Sequence, residues 1–369
     1  MRIKLLNSEL IRVLNNVGKV ISTRPAEPIL ENVLLRVDDK ITFISTNLEQ
    51  GIECTTIGEI NLDDGVREAV LPFSITRDII SSLNMKDVVE LEISSKKGII
   101  RQNDANYSLN CFSSDSFAIL PKVEEKLKFS IEIDTLKDLI DKTSFAASKK
   151  DESRKEFKGI YFDLREGILN FVATDSTALV TNKRTLALPD MDFIIPSKAL
   201  DILSKLDIGS DKMVDIISDG NSIQFQFSNL NFVSLLINGK FPDYEAVIPQ
   251  DVTYTAEVEK DNLLKILKRV NIIASKTTER LNLMFSGGFL QVKSISSDIG
   301  EGEERIKYNG NVEMSLQFYA EKLISGVEHT PGDIVVFGIN GPLHPVLING
   351  KGDDSYIFVV MPQKPLNES

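Results

Sequence analysis

One local pattern occurs three times along this chain, and any fold it adopts must accommodate the repetition. A short alternating segment from Lys4 to Leu6 leads into apolar residues at Leu10, Val13 and Leu14. The pattern returns after residues 129–133 as Leu136, Leu139 and Ile140, and after residues 254–258 as Leu263, Ile266 and Leu267. The i, i+3, i+4 spacing puts each triplet on one helical face. A residue able to cap a helix stands at each start: Asn7 or Ser8, Asp134 or Thr135, Asp261 or Asn262. Paired alternating segments follow in every copy, at residues 32–37 and 40–47, 159–164 and 167–175, and 281–285 and 289–294. A second helix is expected at 74–83, 197–206 and 320–327. Each copy thus reads strand, helix, strands, helix, strands, and is itself two similar halves. Three tandem α+β domains of roughly 120 residues are expected, spanning 1–124, 125–251 and 252–369.

Little in the sequence points to chemistry. Hydrophobic residues make up 42% of the chain, enough for three cores. No apolar run approaches the ~20 residues of a membrane span, and no signal peptide opens the chain, so a cytoplasmic protein without a membrane partner is expected. Cys54 and Cys111 have neither framework nor metal spacing, which fits a reducing compartment. His329 and His344, the only histidines, have no cysteine near them in sequence. Gly287-Gly288 suits a hairpin turn better than a phosphate loop. Thr174-Asp175-Ser176 lacks a base. The expectation is a binding protein, not an enzyme, with no cofactor and no metal.

Charge suggests what is bound. A net charge of −12 argues against an ordinary tight DNA-binding domain. The repeat helices nevertheless carry cations. Lys265, Lys268 and Arg269 lie off the core triplet of the third copy, with Lys276 beyond. The second copy has Lys137, Lys142, Lys149, Lys150, Lys198 and Lys205; Arg24 and Arg77 occupy comparable places in the first, and Lys322 in the third. One such helix is an ordinary solvated face. Their recurrence in three copies favours a shared surface for phosphates, with loose and sequence-independent contact.

Four segments carry a resemblance. The run 23–35 (Thr-Arg-Pro-Ala-Glu-Pro-Ile-Leu-Glu-Asn-Val-Leu-Leu), Ala173-Thr-Asp-Ser176, Asn238-Gly-Lys-Phe-Pro-Asp-Tyr244 and Val359-Val-Met-Pro362 resemble the bacterial DNA polymerase sliding clamp family, the beta subunits. The resemblance covers residues 1 to about 362. It implies the DNA clamp fold: three domains, each of two β-α-β-β-β-like halves, in a head-to-tail homodimeric ring with helices inside and sheets outside. Such a ring encircles double-stranded DNA and tethers the replicative DNA polymerase. It implies too a groove that takes short linear peptides from the polymerase, the clamp loader, repair polymerases and ligase. The matching positions are Phe157, Thr174, Ser176, Thr177, Ala178, Leu179, Pro242, Val247, Pro345, Val346, Val360, Met361 and Pro362. Where the family usually has a His-Arg pair and a further Arg, this chain has Ser176-Thr177-Ala178 and Ala246, so a more apolar groove is expected. The tail from Gln363 extends past the family's usual end and is expected near that groove.

Charge also suggests how the ends meet. Lys96, Arg101, Tyr107 and Leu109 are edge candidates in the first copy; Ile272, Ile273, Glu301, Glu303 and Glu304 are those of the third. Opposite charges favour head-to-tail pairing over self-pairing, with the apolar residues supplying most of the affinity. The alternative is a repeat-domain interaction scaffold without DNA encirclement.

Overall fold

Each apolar triplet is buried on a helix. The computed structural model describes residues 1–22, 24–62, 65–94, 96–150, 152–275, 279–296 and 299–364. Among these residues the α-helices are α1 (Asn7–Val17), α2 (Phe73–Ser82), α3 (Ile133–Ser144), α4 (Ser197–Ser204), α5 (Lys260–Ala274) and α6 (Ala320–His329). Leu10, Val13 and Leu14 of α1, Leu136, Leu139 and Ile140 of α3, and Leu263, Ile266 and Leu267 of α5 are all buried. Full burial of one such side chain contributes about 1.5–3 kcal/mol, so each triplet anchors its helix. No described helix is long and apolar enough to cross a membrane.

Two helix starts differ from expectation. A strand runs directly into α1, so its N-cap is Leu6, with no side-chain cap. Asn7 is fully buried, and its Nδ2 donates to the Ile80 carbonyl of α2 at 3.0 Å. At α5 the cap moves upstream to Glu259, whose carboxylate accepts from the N–H groups of Asp261 and Asn262. An anion there also complements the helix dipole.

The chain divides into two compact units, Met1–Lys137 with Lys198–Leu236, and Asp138–Ser197 with Ile237–Ser369. The first unit holds a five-stranded and an eight-stranded sheet. In the larger, Gln50–Thr56 from the first sequence copy pairs antiparallel with Leu230–Leu235 from the second. The second unit holds a nine-stranded and a four-stranded sheet. There Ala178–Thr185 of the second copy pairs with Asp353–Val360 of the third. Backbone ladders therefore join strands from neighbouring sequence copies.

A side-chain-stapled turn recurs with the repeat. Thr46 Oγ1 donates to the Gln50 carbonyl at 2.8 Å and accepts from Leu48 N–H, while Asn47 Oδ1 accepts from the N–H groups of Glu49 and Gln50. Thr174 and Asp175 make the same contacts across Ser176 to Ala178, as do Ser218 and Asp219 across Gly220 to Ser222. The middle residue has positive φ each time: Leu48 74°, Ser176 76°, Gly220 91°. Asx and hydroxyl side chains replace backbone partners in such turns and hold non-glycine residues in a left-handed conformation. Gly287 and Gly288, both at positive φ, close the hairpin between Arg280–Ser286 and Phe289–Ser296.

Candidate functional site

The second stapled turn forms one wall of a groove of about 290 Å³ in the second unit. Of the expected residues, Phe157, Thr174, Ser176, Thr177, Ala178, Leu179, Pro242, Val247, Pro345 and Met361 line it. Val346, Val360 and Pro362 do not. Successive strand residues face opposite sides, and Val346 and Val360, cross-strand partners at 0% and 2% exposure, point into the core. Val359 faces the groove instead, and Asp243 and Tyr244 complete it.

A buried polar pair fixes the Tyr244 wall. The Tyr244 hydroxyl donates to Asp163 Oδ2 at 2.8 Å, and Asp163 is 1% exposed. The other Asp163 oxygen lies 2.9 Å from Arg165 Nε. Tyr161 stacks on Phe241 with ring centroids 4.8 Å apart and meets Tyr244 edge-on. Burial, reinforced by Asp163, pushes the Tyr244 hydroxyl far above its ordinary range. Burial followed by the same carboxylate raises Tyr161 to about 12. Both hydroxyls are therefore neutral donors at physiological pH.

The opposite wall is tied to α6. Lys322 Nζ donates to Asp175 Oδ2 and Thr177 Oγ1. Burial alone would raise the Asp175 carboxyl, but the hydrogen bonds from Lys322 and Thr177 outweigh it and hold the carboxyl below the usual range. Lys322 is thus no member of a free cationic face. It brings a cation to the turn where the resemblance led us to expect cations missing.

The helix cations are placed as follows. Arg24, Lys149, Lys150, Lys198, Lys205 and Lys265 are exposed, and Lys137 is half-buried on α3. Arg77 pairs with Asp78 at 3.1 Å, Lys142 with Asp138 at 2.6 Å and Lys268 with Glu328 at 2.7 Å. Arg269 is bidentate to Glu304, joining two residues expected on different surfaces. Lys276 lies outside the described residues.

Both expected end surfaces contain an edge strand. Tyr107 and Leu109 lie on Ala105–Asn110, at one edge of the five-stranded sheet; Tyr107 is exposed and Leu109 half-buried. Lys96 is exposed, whereas Arg101 is held by Glu90 and Glu92 of the neighbouring strand at 2.8 and 2.5 Å. Glu301, Glu303 and Glu304 lie on Gly300–Lys307, an edge of the four-stranded sheet. Beside it, Ile272 is 67% exposed, and Ile273 packs where a Cβ on Gly302 would fall 2.9 Å from its Cδ1. Of the expected tail, Gln363 and Lys364 are described. Gln363 N–H donates to the Gln317 carbonyl at 2.6 Å, and Arg280 donates to the Lys364 carbonyl, both partners on the four-stranded sheet; residues 365–369 lie outside the described residues.

Family models for the DNA polymerase III beta subunit match consecutively along the chain. The N-terminal domain matches residues 1–121, the central domain 130–243 and the C-terminal domain 245–364. The chain belongs to the DNA polymerase III beta subunit family. A beta sliding clamp of Bacillus subtilis is 27% identical over 98% of this chain and 99% of its own length, and one of Pseudomonas aeruginosa is 26% identical over 96% and 97%. A DNA polymerase sliding clamp structure from Bacillus subtilis superposes with a TM-score of 0.90 at 26% identity, covering 99% of this chain and 100% of its own. A putative DNA polymerase III beta subunit from Eubacterium rectale shares the fold with a TM-score of 0.91 at 23% identity, over 99% and 100%.

For this beta subunit family member, sequence reasoning missed Asp163, Asp243, Tyr244 and Val359. Tyr244 ends the Gly-Lys-Phe-Pro-Asp-Tyr segment and could have been read as a wall. Val359 was findable by alternation from Met361. Asp163 gave no signal, because only the fold places its carboxylate beneath Tyr244.

Proposed function

We propose that this chain is a DNA sliding clamp for DNA polymerase III, acting by topology and not as an enzyme. Two copies close head to tail into a ring around duplex DNA, and the tethered polymerase stays on its template. The carrying observation is the consecutive match of all three beta subunit domain models along the chain.

Three clamp domains meeting near Glu124 and Asp251 are part of this reading. The strand Ala105–Asn110 of one subunit would meet Gly300–Lys307 of the other, with Tyr107, Leu109, Ile272 and Ile273 covered and Lys96 facing the acidic strand. Open edges of this kind are templates for pairing. Exposed Arg24, Lys149, Lys150, Lys198, Lys205 and Lys265 face phosphates without reading bases, which permits sliding. The groove between the Thr174–Ala178 turn and Tyr244 takes short linear peptides of the polymerase and the clamp loader, and of repair polymerases and ligase. Leu179, Val247, Val359 and Met361 receive apolar side chains there. Work in the cytoplasm follows from this role.

The test is retention on DNA. The protein is loaded with a clamp loader and ATP onto a nicked circular plasmid, gel-filtered, and the plasmid is linearised. Retention on the circle with loss from the linear form is expected. Equal loss from both, with a competent loader, overturns the ring and leaves the scaffold reading.

A further inference from the structure

The groove has a repeat-related counterpart in the first unit. The stapled turn Thr46 to Gln50 corresponds contact for contact to Thr174 to Ala178. The strand leaving each turn pairs with an equivalent partner: Gln50 with Ser234 and Gly51 with Val233, as Ala178 with Val360 and Leu179 with Val359. Leu34 faces Val70 where Tyr161 faces Ile194. Phe117 joins the cluster of Leu34, Ile44 and Val70 as Phe241 joins that of Tyr161, Val172 and Ile194. By this register Leu120 stands for Tyr244, Leu34 for Tyr161 and Gly51 for Leu179.

Each of these three differences replaces a large side chain with a smaller one: Leu34 packs into the core below, and Leu120 lies against Gly51. A cavity of about 580 Å³ lies there, lined among others by Thr46, Gly51, Ile119, Leu120 and Val233, the equivalents of groove residues in the second unit. A Cβ at Gly51 would lie 3.2 Å from Leu120 Cδ1, so a larger residue there would press on Leu120.

Its floor is polar where that of the groove is apolar. Glu53 and Asn231 are direct cross-strand partners, with Gln226 next in the same row. Asn231 Oδ1 is buried without a hydrogen-bond partner. Arg36, also on the lining, is neutralised by Glu68 at 2.6 Å. Lys122 is exposed on the overlying segment. An unpaired buried acceptor costs about 1–3 kcal/mol unless a donor reaches it. Beside a carboxylate, a cationic donor suits the position best.

The geometry points to a second docking site here, for an extended peptide that lays a lysine or arginine side chain on Glu53 and Asn231 and apolar neighbours on Ile119, Leu120 and Val233. The extended form follows from the repeat, because the equivalent groove is the one read above as a peptide site. The site goes beyond that reading and rests on it only for the peptide's conformation. An acidic side chain would meet Glu53 on the floor and is rejected.

The test uses the full-length protein and four acetylated, amidated hexapeptides, Ala-Leu-X-Leu-Ala-Ala, with X lysine, arginine, norleucine or glutamate. Binding is followed by amide chemical shifts in NMR and by Kd from titration. The lysine and arginine peptides are expected to shift amides of Gln50–Thr56 and Leu230–Leu235 and to bind at least tenfold tighter than the glutamate peptide. Glu53→Gln should remove that preference. Leu120→Tyr, which restores the side chain of the second unit's groove, should block binding while the melting temperature holds. Val247→Arg, confined to that groove, should leave binding here unchanged and weaken binding there. Shifts confined to residues 174–179 and 242–247, equal Kd for all four peptides, or binding indifferent to both Glu53→Gln and Leu120→Tyr would overturn the second site. The first of these outcomes would leave the peptide groove intact.

Discussion

Replacing Tyr244 by phenylalanine removes one oxygen and leaves a buried carboxylate short of a donor. Asp163 is 1% exposed, and its Oδ2 receives the Tyr244 hydroxyl at 2.8 Å. Its remaining partner, Arg165, has a side chain 66% exposed and is open to solvent competition. A hydrogen bond to a charged group contributes about 1.5–3 kcal/mol, and the orphaned oxygen retains its desolvation penalty. Tyr244→Phe should therefore destabilise the second unit by about 2 kcal/mol. For a body of that size each kcal/mol moves the melting temperature by about 2–4 °C, which gives a drop of about 4–8 °C in a thermal melt followed by circular dichroism. The double variant Asp163→Leu/Tyr244→Phe removes both partners and should recover part of the loss. Alkali provides an independent readout. Tyr244 ionises near pH 10 in the unfolded chain but well above that in the native state, so its contribution is whole below pH 10 and fades as pH rises beyond it. The native protein should lose stability above pH 10 more steeply than Tyr244→Phe. A single variant melting within about 1 °C of the native protein, or a double variant showing the full sum of both losses, would refute the dependence of Asp163 on Tyr244.

Lys322→Met should loosen the Asp175 turn and weaken binding of a groove peptide by about 1 kcal/mol, a value discounted for the partial exposure of both groups and read by fluorescence polarisation. Because Asp175 is held below the ordinary carboxylate range, its contribution is present above about pH 4 and lost as pH falls, and Lys322→Met should flatten that acid limb of the melting curve. Ile272→Asp puts a charge on a 67% exposed apolar residue beside the acidic edge strand, and should raise the dimer dissociation constant at least about 30-fold, or about 2 kcal/mol, by sedimentation. Replacing any one of Lys198, Lys205 or Lys265 by Gln should lower the log–log salt slope of DNA binding by about 0.9 if that residue meets a phosphate, and an unchanged slope would remove it from the DNA surface.

The repeat was legible because burial of Leu10, Val13 and Leu14 and their counterparts demands a period that composition cannot imitate. Helix existence followed from it, while helix starts did not: the capping role at α5 went to Glu259 because the preceding strand delivers that residue in extended form. Groove residues on the turn and the linker were readable from the resemblance. Val346 and Val360 were misplaced because one residue of strand register separates a groove wall from a core. Asp163 and Lys322 escaped because their partners lie 81 and 147 residues away, a distance no local pattern encodes.

The ladders that join Gln50–Thr56 to Leu230–Leu235 and Ala178–Thr185 to Asp353–Val360 bear on ancestry and on rupture. A third of this chain excised at its sequence joins would bare a strand edge at every cut, a template for pairing with another copy. A chain of single-repeat length would present these same edges, through which copies can associate. In the proposed ring, every joint is then a seam of one kind, distinguished only by whether a peptide linker crosses it. Opening should occur at the seams that no linker crosses, because separation there costs only the interface, whereas elsewhere the tethered edges find each other again at once.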